Sequence, residues 1–418
     1  MLNGKKKIWI MNHYATSMFF NKGGRHYWFA ENLIKSGYEP TIFCANIRHN
    51  REDIVNIYEG KYLRMINENI PFVFVKTVRY SDNGRQRIKN MLVFAWNLTA
   101  IAKEYARIYG KPDLILASSV HPLTLVAGIK IARRFGVPCI CEVRDLWPES
   151  LVAYGFLKQN SVIAKILYRA EKWIYKNADS IVMTWEGGKE YICDQGWDKE
   201  IDLNKVKHIN NGVSVEAFDR NSQENIITDP DLDNPDFKNI VYAGSIRKVN
   251  NIGILLDAAK IIQEQGHRQI RFLIYGSGDE KARLERRCRD ESITNVIFKG
   301  WIEKRFVPSV LKKAYVNVLH NSSTSLDKYG QSQNKLFEYL AAGRCIVQTF
   351  STGYSILNKY DCGICVPVQN AEEIAKALIK ACHDENYNRI MGENARRAAH
   401  DYDFRKLTGK LIDIIESL

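Results

Sequence analysis

Short runs of apolar, often β-branched residues alternate with longer segments of helical apolar period along nearly the whole chain. In the first half, Lys7–Met11, Thr41–Cys44, Phe72–Val75, Leu114–Ala117, Pro138–Glu142 and Ser180–Met183 read as strands. Helical periodicity fills His26–Ser36, Arg87–Ile108, Pro122–Phe135 and Val162–Asn177. In the second half the strands are Ile240–Ala243, Ile270–Tyr275, Val296–Phe298, Val316–Leu319 and Cys345–Thr349. Helices at Ile252–Gln265, Glu280–Arg289, Val307–Ala314, Lys335–Ala342 and Ala371–His383 separate them. Strand, crossover and strand repeated in this way predicts an α/β fold of parallel sheets covered on both faces. Arg220–Asp236, with its NSQEN and DPDLDNPD, has no apolar period and reads as a linker. The expected organisation is one Rossmann-like domain over 1–218, a linker over 219–236 and a second such domain over 237–402. An amphipathic helix over 403–418 is expected to pack back on the first.

A chain of 418 residues exceeds one ordinary core and suits two or three domains. No apolar run approaches the length of a spanning helix, and Asn12 and His13 interrupt the first one too early for a signal peptide. The expected location is the cytoplasm. The cysteine count is odd, nine, and most lie in apolar runs, so reduced core thiols are expected. Cys362 and Cys365 have the spacing of a redox or zinc pair. A second zinc pair is lacking, and extended Val366-Pro367-Val368 follows instead of a helix, which favours structural thiols.

Charge adds a clue about partners. The formal charge is +13, and residues 1–200 hold 29 Lys/Arg against 19 Asp/Glu, whereas 201–418 hold 31 against 28. A basic half attracts anionic surfaces or phosphorylated substrates. No nucleic-acid-binding motif accompanies it, so nucleic acid is not expected. Arg79–Trp96 places four basic residues beside an apolar, aromatic run, as in an interfacial segment on an anionic membrane surface. A core helix with a basic entry loop is the other reading.

Ligands of doubly wound sheets bind beyond the carboxyl ends of the strands. Gly23-Gly24 lies between the first strand and a helix, where backbone N–H groups can approach an anion; a tight turn explains the pair equally well. It is neither a dinucleotide fingerprint nor a Walker loop. In the second half Gly244-Ser245-Ile-Arg247-Lys248, Gly276-Ser-Gly278, Lys299-Gly300-Trp301 and Gly330-Gln331-Ser332-Gln-Asn334-Lys335-Leu336-Phe-Glu338 each follow a strand. Parallel connectivity brings all four to one sheet edge, where helix N-termini, Arg247, Lys248 and Lys335 suit phosphates. Glu338 could accept hydrogen bonds from a ribose diol, with a capping-box role as the alternative. In the first half His121, Arg144 and Asp145 lie just beyond strands. His121 could instead cap its helix, and the other two could pair together.

In this order the Gly-Gly loop, Glu142-Val-Arg-Asp-Leu-Trp-Pro-Glu149, Asn210-Asn-Gly212-Val and the four loops resemble the GT-B glycosyltransferases of family four. The likeness is greatest to the bacterial branch that builds O-antigens and capsules. The resemblance implies two Rossmann-like domains facing a cleft and transfer of a sugar, with retention, from a nucleotide-sugar donor, expected to be UDP-linked. No cofactor or metal is expected, and no Asp-x-Asp stands where a divalent ion would bridge the phosphates. The implied acceptor is a glycan or an undecaprenyl-diphosphate-linked sugar at the inner face of the plasma membrane.

By the same resemblance His121 faces the donor sugar, and Arg247, Lys248 and Lys335 serve catalysis at the diphosphate. Gly23, Gly24, Gly244, Ser245, Gly276, Gly278, Trp301, Gly330, Gln331, Ser332, Asn334, Leu336 and Glu338 bind the donor, while Arg144 and Asp145 lie on the acceptor side. Two departures stand out. Gly330 replaces the first of two glutamates spaced eight apart, so backbone N–H groups of Gly330–Ser332 are expected at the sugar or phosphate. The usual Arg and Lys of the donor domain fall on Ser245 and Asn250, with Arg247 and Lys248 as near substitutes. A nucleotide-sugar epimerase of the same fold and a non-catalytic carbohydrate- or nucleic-acid-binding protein are the alternatives.

Overall fold

The computed structural model describes residues 5–48, 54–80, 84–119 and 121–418. The chain divides into two units, 1–210 with 404–418 and 211–403. The first unit opens with β1 (Lys7–Met11), α1 (Thr16–Asn21), α2 (Arg25–Lys35), β2 (Glu39–Ala45), β3 (Tyr62–Asn67) and β4 (Ile70–Val75). It continues through α3 (Arg85–Tyr109), β5 (Leu114–Ser118), α4 (Pro122–Phe135), β6 (Cys139–Val143) and α5 (Glu149–Ala153). α6 (Val162–Asn177), β7 (Ser180–Met183), α7 (Gly188–Asp194) and β8 (Val206–His208) complete its main run.

The second unit begins with α8 (Val215–Glu224), β9 (Lys238–Ala243), α9 (Gly253–Glu264), β10 (Ile270–Tyr275) and α10 (Lys281–Asp290). It continues with β11 (Val296–Gly300), α11 (Val307–Lys313), β12 (Val316–Leu319), α12 (Asn334–Ala342) and β13 (Cys345–Gln348). α13 (Ile356–Tyr360), β14 (Gly363–Cys365), α14 (Ala371–His383) and α15 (Glu385–Asp401) end it, and α16 (Phe404–Glu416) returns to the first unit.

The first unit's eight strands run in the order β3-β4-β2-β1-β5-β6-β7-β8, parallel except where β3 lies antiparallel to β4. The second unit's six parallel strands run β11-β10-β9-β12-β13-β14, the doubly wound order with its reversal between β9 and β12. In the first sheet the corresponding reversal is between β1 and β5. Strands β1, β5, β10 and β12 are buried on both faces, which is why each reads as a mainly apolar run, interrupted by Arg271 in β10 and Asn317 in β12. β3 was not expected. It is an edge strand, and its Leu63, Met65 and Ile66 stay exposed, so it lacks an apolar period. The short strands β8 and β14 were also outside the sequence reading.

The domain boundaries need correction. Residues 219–236 are not a free linker: α8 covers 215–224, and the acidic segment after it is tied into the second unit. Lys299 Nζ donates to Asp229 Oδ1 and Asp231 Oδ2, both at 2.7 Å, and Tyr275 donates to Asp229 Oδ2 at 2.7 Å. Arg271 on β10 also donates to the Asp231 carbonyl. The segment is held by these polar contacts together with isolated apolar anchors, Leu232 buried in the core and Ile227 packed against it, hence its lack of periodicity. The unit boundaries therefore fall at 210/211 and 403/404 rather than at 218, 236 and 402. α16 packs on α2, with the Phe29 and Phe404 rings 5.6 Å apart and Glu416 accepting from Lys6 at 2.7 Å.

Candidate active site

At the carboxyl edge of the first sheet, a buried polar network takes the place expected for an anion cradle. Gly24 precedes α2, whose first two residues are Arg25 and His26. Arg25 Nε donates to Glu142 Oε1 at 2.7 Å, and His26 Nε2 lies 2.8 Å from Glu142 Oε2. Ser118 donates to the same oxygen at 2.7 Å, and Arg25 also reaches the carbonyls of Ile209 and Asn210 at 2.9 and 2.6 Å. Burial disfavours the carboxylate, but the Arg25 charge and the hydrogen bond from His26, whose own ring burial pushes toward the neutral form, hold Glu142 well below the usual carboxylate range. The network joins the ends of β5, β6 and β8 to α2. Sequence reading passed over it because its members come from four separate segments.

His121 sits at the sheet's reversal point and caps α4. It is buried, with Nε2 2.6 Å from His13 Nδ1, and the His13 ring stacks on Phe94 at 4.4 Å. Burial, assisted by the Arg87 charge, pushes His121 down to about 3, so its ring is neutral at physiological pH. Its Nδ1 has no hydrogen-bond partner among the described residues. Capping and ligand contact are thus compatible: the helix uses its backbone position, and one ring nitrogen stays unused. Arg144 and Asp145 follow β6, half-buried and exposed respectively, and no ion pair joins them among the described residues. The Arg144 backbone is fixed instead, its N–H donating to Ser119 Oγ at 3.0 Å and its carbonyl accepting from Trp185 Nε1 at 2.9 Å.

In the second unit the four loops do meet at one edge, because β9, β10, β11 and β12 are parallel neighbours. Several expected roles change at this edge. The Gly244 N–H donates to the Tyr275 carbonyl at 3.0 Å, and the Gly276 N–H to that of Gly300 at 2.7 Å. These groups are therefore committed within the sheet edge and unavailable to a phosphate. Gly276 is required by close approach: a Cβ there would lie 1.8 Å from Gly244 O, and one at Gly278 2.0 Å from Ile246 O. The Gly330 N–H is likewise committed, to Asp327 O at 3.0 Å. Leu336 is fully buried in the core, so its side chain contacts no ligand.

Ser332 is held by the Asn210-Asn-Gly motif, whose Asn211 Nδ2 donates to the Ser332 carbonyl at 2.8 Å. Gln331 is buried, and Asn334 is exposed at the start of α12. Trp301 is 57% exposed just beyond β11. Ser245 donates to Asn250 Oδ1 at 2.8 Å, closing the loop that carries exposed Arg247 and Lys248. Glu338 is not idle, since Lys304 donates to its Oε2 at 2.6 Å.

Lys335 is the unusual cation. Its Nζ donates to the His320 carbonyl at 2.7 Å and lies 4.9 Å from the Tyr242 ring centroid. Among the described residues no carboxylate pairs with it, and desolvation pulls it down to about 7. His320, absent from the sequence reading, occupies the reversal point of this sheet. Its Nδ1 lies 2.6 Å from Thr349 Oγ1 and its Nε2 3.0 Å from Asn251 O, and burial pushes it down to about 4. It therefore braces the Arg247–Lys248 loop against β13. The rule that singled out His121, a histidine just past a buried strand, would have found it.

Comparison with known proteins accords with this architecture. Residues 27–217 match the model for Glycosyltransferase Family 4, and residues 237–384 match that for Glycosyl transferases group 1. Together these matches span most of the chain, which belongs to the group 1 glycosyltransferases of GT-B fold. A glycosyltransferase of Methanocaldococcus jannaschii is 22% identical over 59% of this chain and 60% of its own length. The putative colanic acid biosynthesis glycosyl transferase WcaI of Escherichia coli is 21% identical over 69% of this chain and 70% of its own. Among solved structures, Anabaena HepE in complex with UDP superposes with a TM-score of 0.68 at 12% identity, covering 99% of this chain and all of that one.

Proposed function

We propose that the protein transfers a sugar from a UDP-sugar to a glycan or undecaprenyl-diphosphate-linked acceptor in bacterial surface polysaccharide assembly. The observation that carries the donor half is Lys335, a desolvated ammonium without a carboxylate, on the same sheet edge as exposed Arg247 and Lys248. A diphosphate supplies the missing negative charge. Trp301 offers a face to the base, and Glu338 can exchange the exposed Lys304 for the ribose hydroxyls, because such surface pairs contribute only about 0–1 kcal/mol. The UDP complex of HepE and the name of WcaI support the choice of donor and pathway.

The reaction breaks the bond between the anomeric carbon and the phosphate oxygen and forms one from that carbon to the acceptor oxygen on the same face. The acceptor's proton passes to the departing phosphate oxygen. Lys335, Arg247 and Lys248 stabilise the negative charge that develops there, in the role a metal ion takes elsewhere. His121, neutral and with Nδ1 unpartnered, contacts a donor-sugar hydroxyl, while Arg144 and Asp145 orient the acceptor. A basic interfacial segment at Arg79–Trp96, of which 81–83 lie outside the described residues, brings the enzyme to the inner membrane face.

Titration with UDP and with uridine tests the donor site, and a panel of UDP- and GDP-sugars with chelator present tests transfer. Binding of UDP at least tenfold tighter than uridine, with turnover in chelator, is expected. Equal affinity for the two, or full metal-reversible inactivation, would refute the proposed diphosphate site or its metal independence respectively.

A further inference from the structure

We propose that a second apolar, acid-free surface, formed by the α5–α6 loop and the start of α6, joins the exposed face of α3 in docking on an anionic lipid bilayer. Phe156, Val162, Ile163 and Ile166 expose 56–74% of their surface. Exposed Lys158, Lys165 and Arg169 are interleaved with them, and residues 154–170 contain no Asp or Glu. Ser161 caps α6 by accepting from Ala164 N at 3.2 Å, and this turns Ala164 into the core while its apolar neighbours face outward. On α3, Ile88, Leu92 and Trp96 recur every four residues and are 57%, 53% and 75% exposed beside exposed Arg85 and Lys89.

The two patches lie on one side of the first unit. α3 and α6 both pack against α4: Arg134 of α4 donates to the Thr99 carbonyl at 3.1 Å, and Arg133 lies 5.7 Å from the Trp173 ring. Each helix leads directly into a strand of the same parallel sheet, α3 into β5 and α6 into β7. Both N-terminal ends therefore stand at the carboxyl edge, the edge that carries His121 and Arg144. An aqueous protein partner of ordinary composition would meet this surface with both charge signs. A bilayer of anionic headgroups supplies only the complementary sign, with acyl chains beneath for the isoleucines and phosphates for snorkelling Lys and Arg. No described helix is long and apolar enough to cross a membrane, so the attachment is interfacial and sensitive to salt. The proposal rests on a lipid-linked acceptor and adds a second contact that would fix how the first unit's site meets the membrane.

Flotation with phosphatidylglycerol vesicles, against pure phosphatidylcholine vesicles, tests it on the full chain. The double variants Ile163→Ser/Ile166→Ser and Lys165→Glu/Arg169→Glu should each lower partitioning roughly tenfold or more. Their thermal melts and UDP affinities should match the parent, since none of these residues touches the donor loops. A parent that fails to float, or variants that float like the parent, overturns the proposal. So does conversion of a dimeric parent to a monomer by the apolar variant without loss of flotation, which would assign the surface to a second copy. Flotation without any UDP binding would leave the surface standing and sink the transferase reading instead.

Discussion

If the diphosphate binds beside Lys335 as proposed, nucleotide binding is a proton-linked event. Desolvation holds its ammonium at about 7 in the free protein, against 10.5 for an ordinary lysine. A diphosphate nearby restores the charged form, so binding must bring a proton wherever Lys335 is neutral beforehand. At about pH 8 some nine-tenths of the free protein lacks that proton, and uptake on binding should approach one. Above that pH, affinity for UDP should fall by up to about tenfold per pH unit until the bound lysine itself titrates. The second ionisation of the phosphate, near 6, lies below this window.

Calorimetry at one pH in buffers of different ionisation enthalpy measures the proton count directly. Lys335→Met should bind UDP more weakly, without proton uptake and without this pH slope. The free-protein counterpart has a defined sign. Because the folded value lies below the unfolded one, the unfolded chain binds more protons between about 7 and 10.5, and the parent gains stability as pH rises through that range. Tight UDP binding by the parent with no proton uptake would refute the assignment.

Glu171 is buried, accepts from Tyr175 at 2.7 Å and Tyr191 at 2.9 Å, and is raised by burial to about 8. The folded state then binds the extra proton between 4.5 and about 8, so stability falls as pH rises through that window; Glu171→Gln should flatten the fall, read from melts at both ends. Gly276→Ala forces a Cβ to 1.8 Å from a backbone oxygen and should destabilise by about 2 kcal/mol or more in denaturant titration; an unchanged midpoint would contradict that packing. Glu338→Ala should weaken UDP about 10- to 100-fold by removing charge-assisted hydrogen bonds, with the fold intact by circular dichroism; unchanged affinity would exclude a ribose contact.

Most of the fold could be read directly from the chain because parallel strands buried on both faces leave continuous apolar runs. β1 and β5 did so, β10 and β12 did so apart from Arg271 and Asn317, and the helices between them kept their apolar period. The elements that escaped lack that signature for identifiable reasons. β3 is an edge strand with outward apolar side chains, and β8 and β14 are three residues each. The segment after α8 is anchored by Lys299 and Arg271 through carboxylates and a carbonyl, and such anchoring leaves no period in the sequence.

The candidate site divides along another line. Sequence order could say which residues reach the carboxyl edge, because parallel connectivity alone decides that. It could not say which hydrogen-bonding groups are already engaged there. Gly244, Gly276 and Gly330 arrive at the expected edge with their N–H groups committed to neighbouring carbonyls, so the proposed anion site rests on cationic side chains instead of these backbone groups. Among those, Lys299 is consumed by two aspartates while Lys335, one loop further on, meets only a carbonyl and an aromatic ring. Both are lysines beside a strand end, and only the partners supplied by distant segments distinguish them. The proposed diphosphate site therefore centres on Lys335, whose charge the protein leaves uncompensated, and not on Lys299, whose charge is spent on two aspartates.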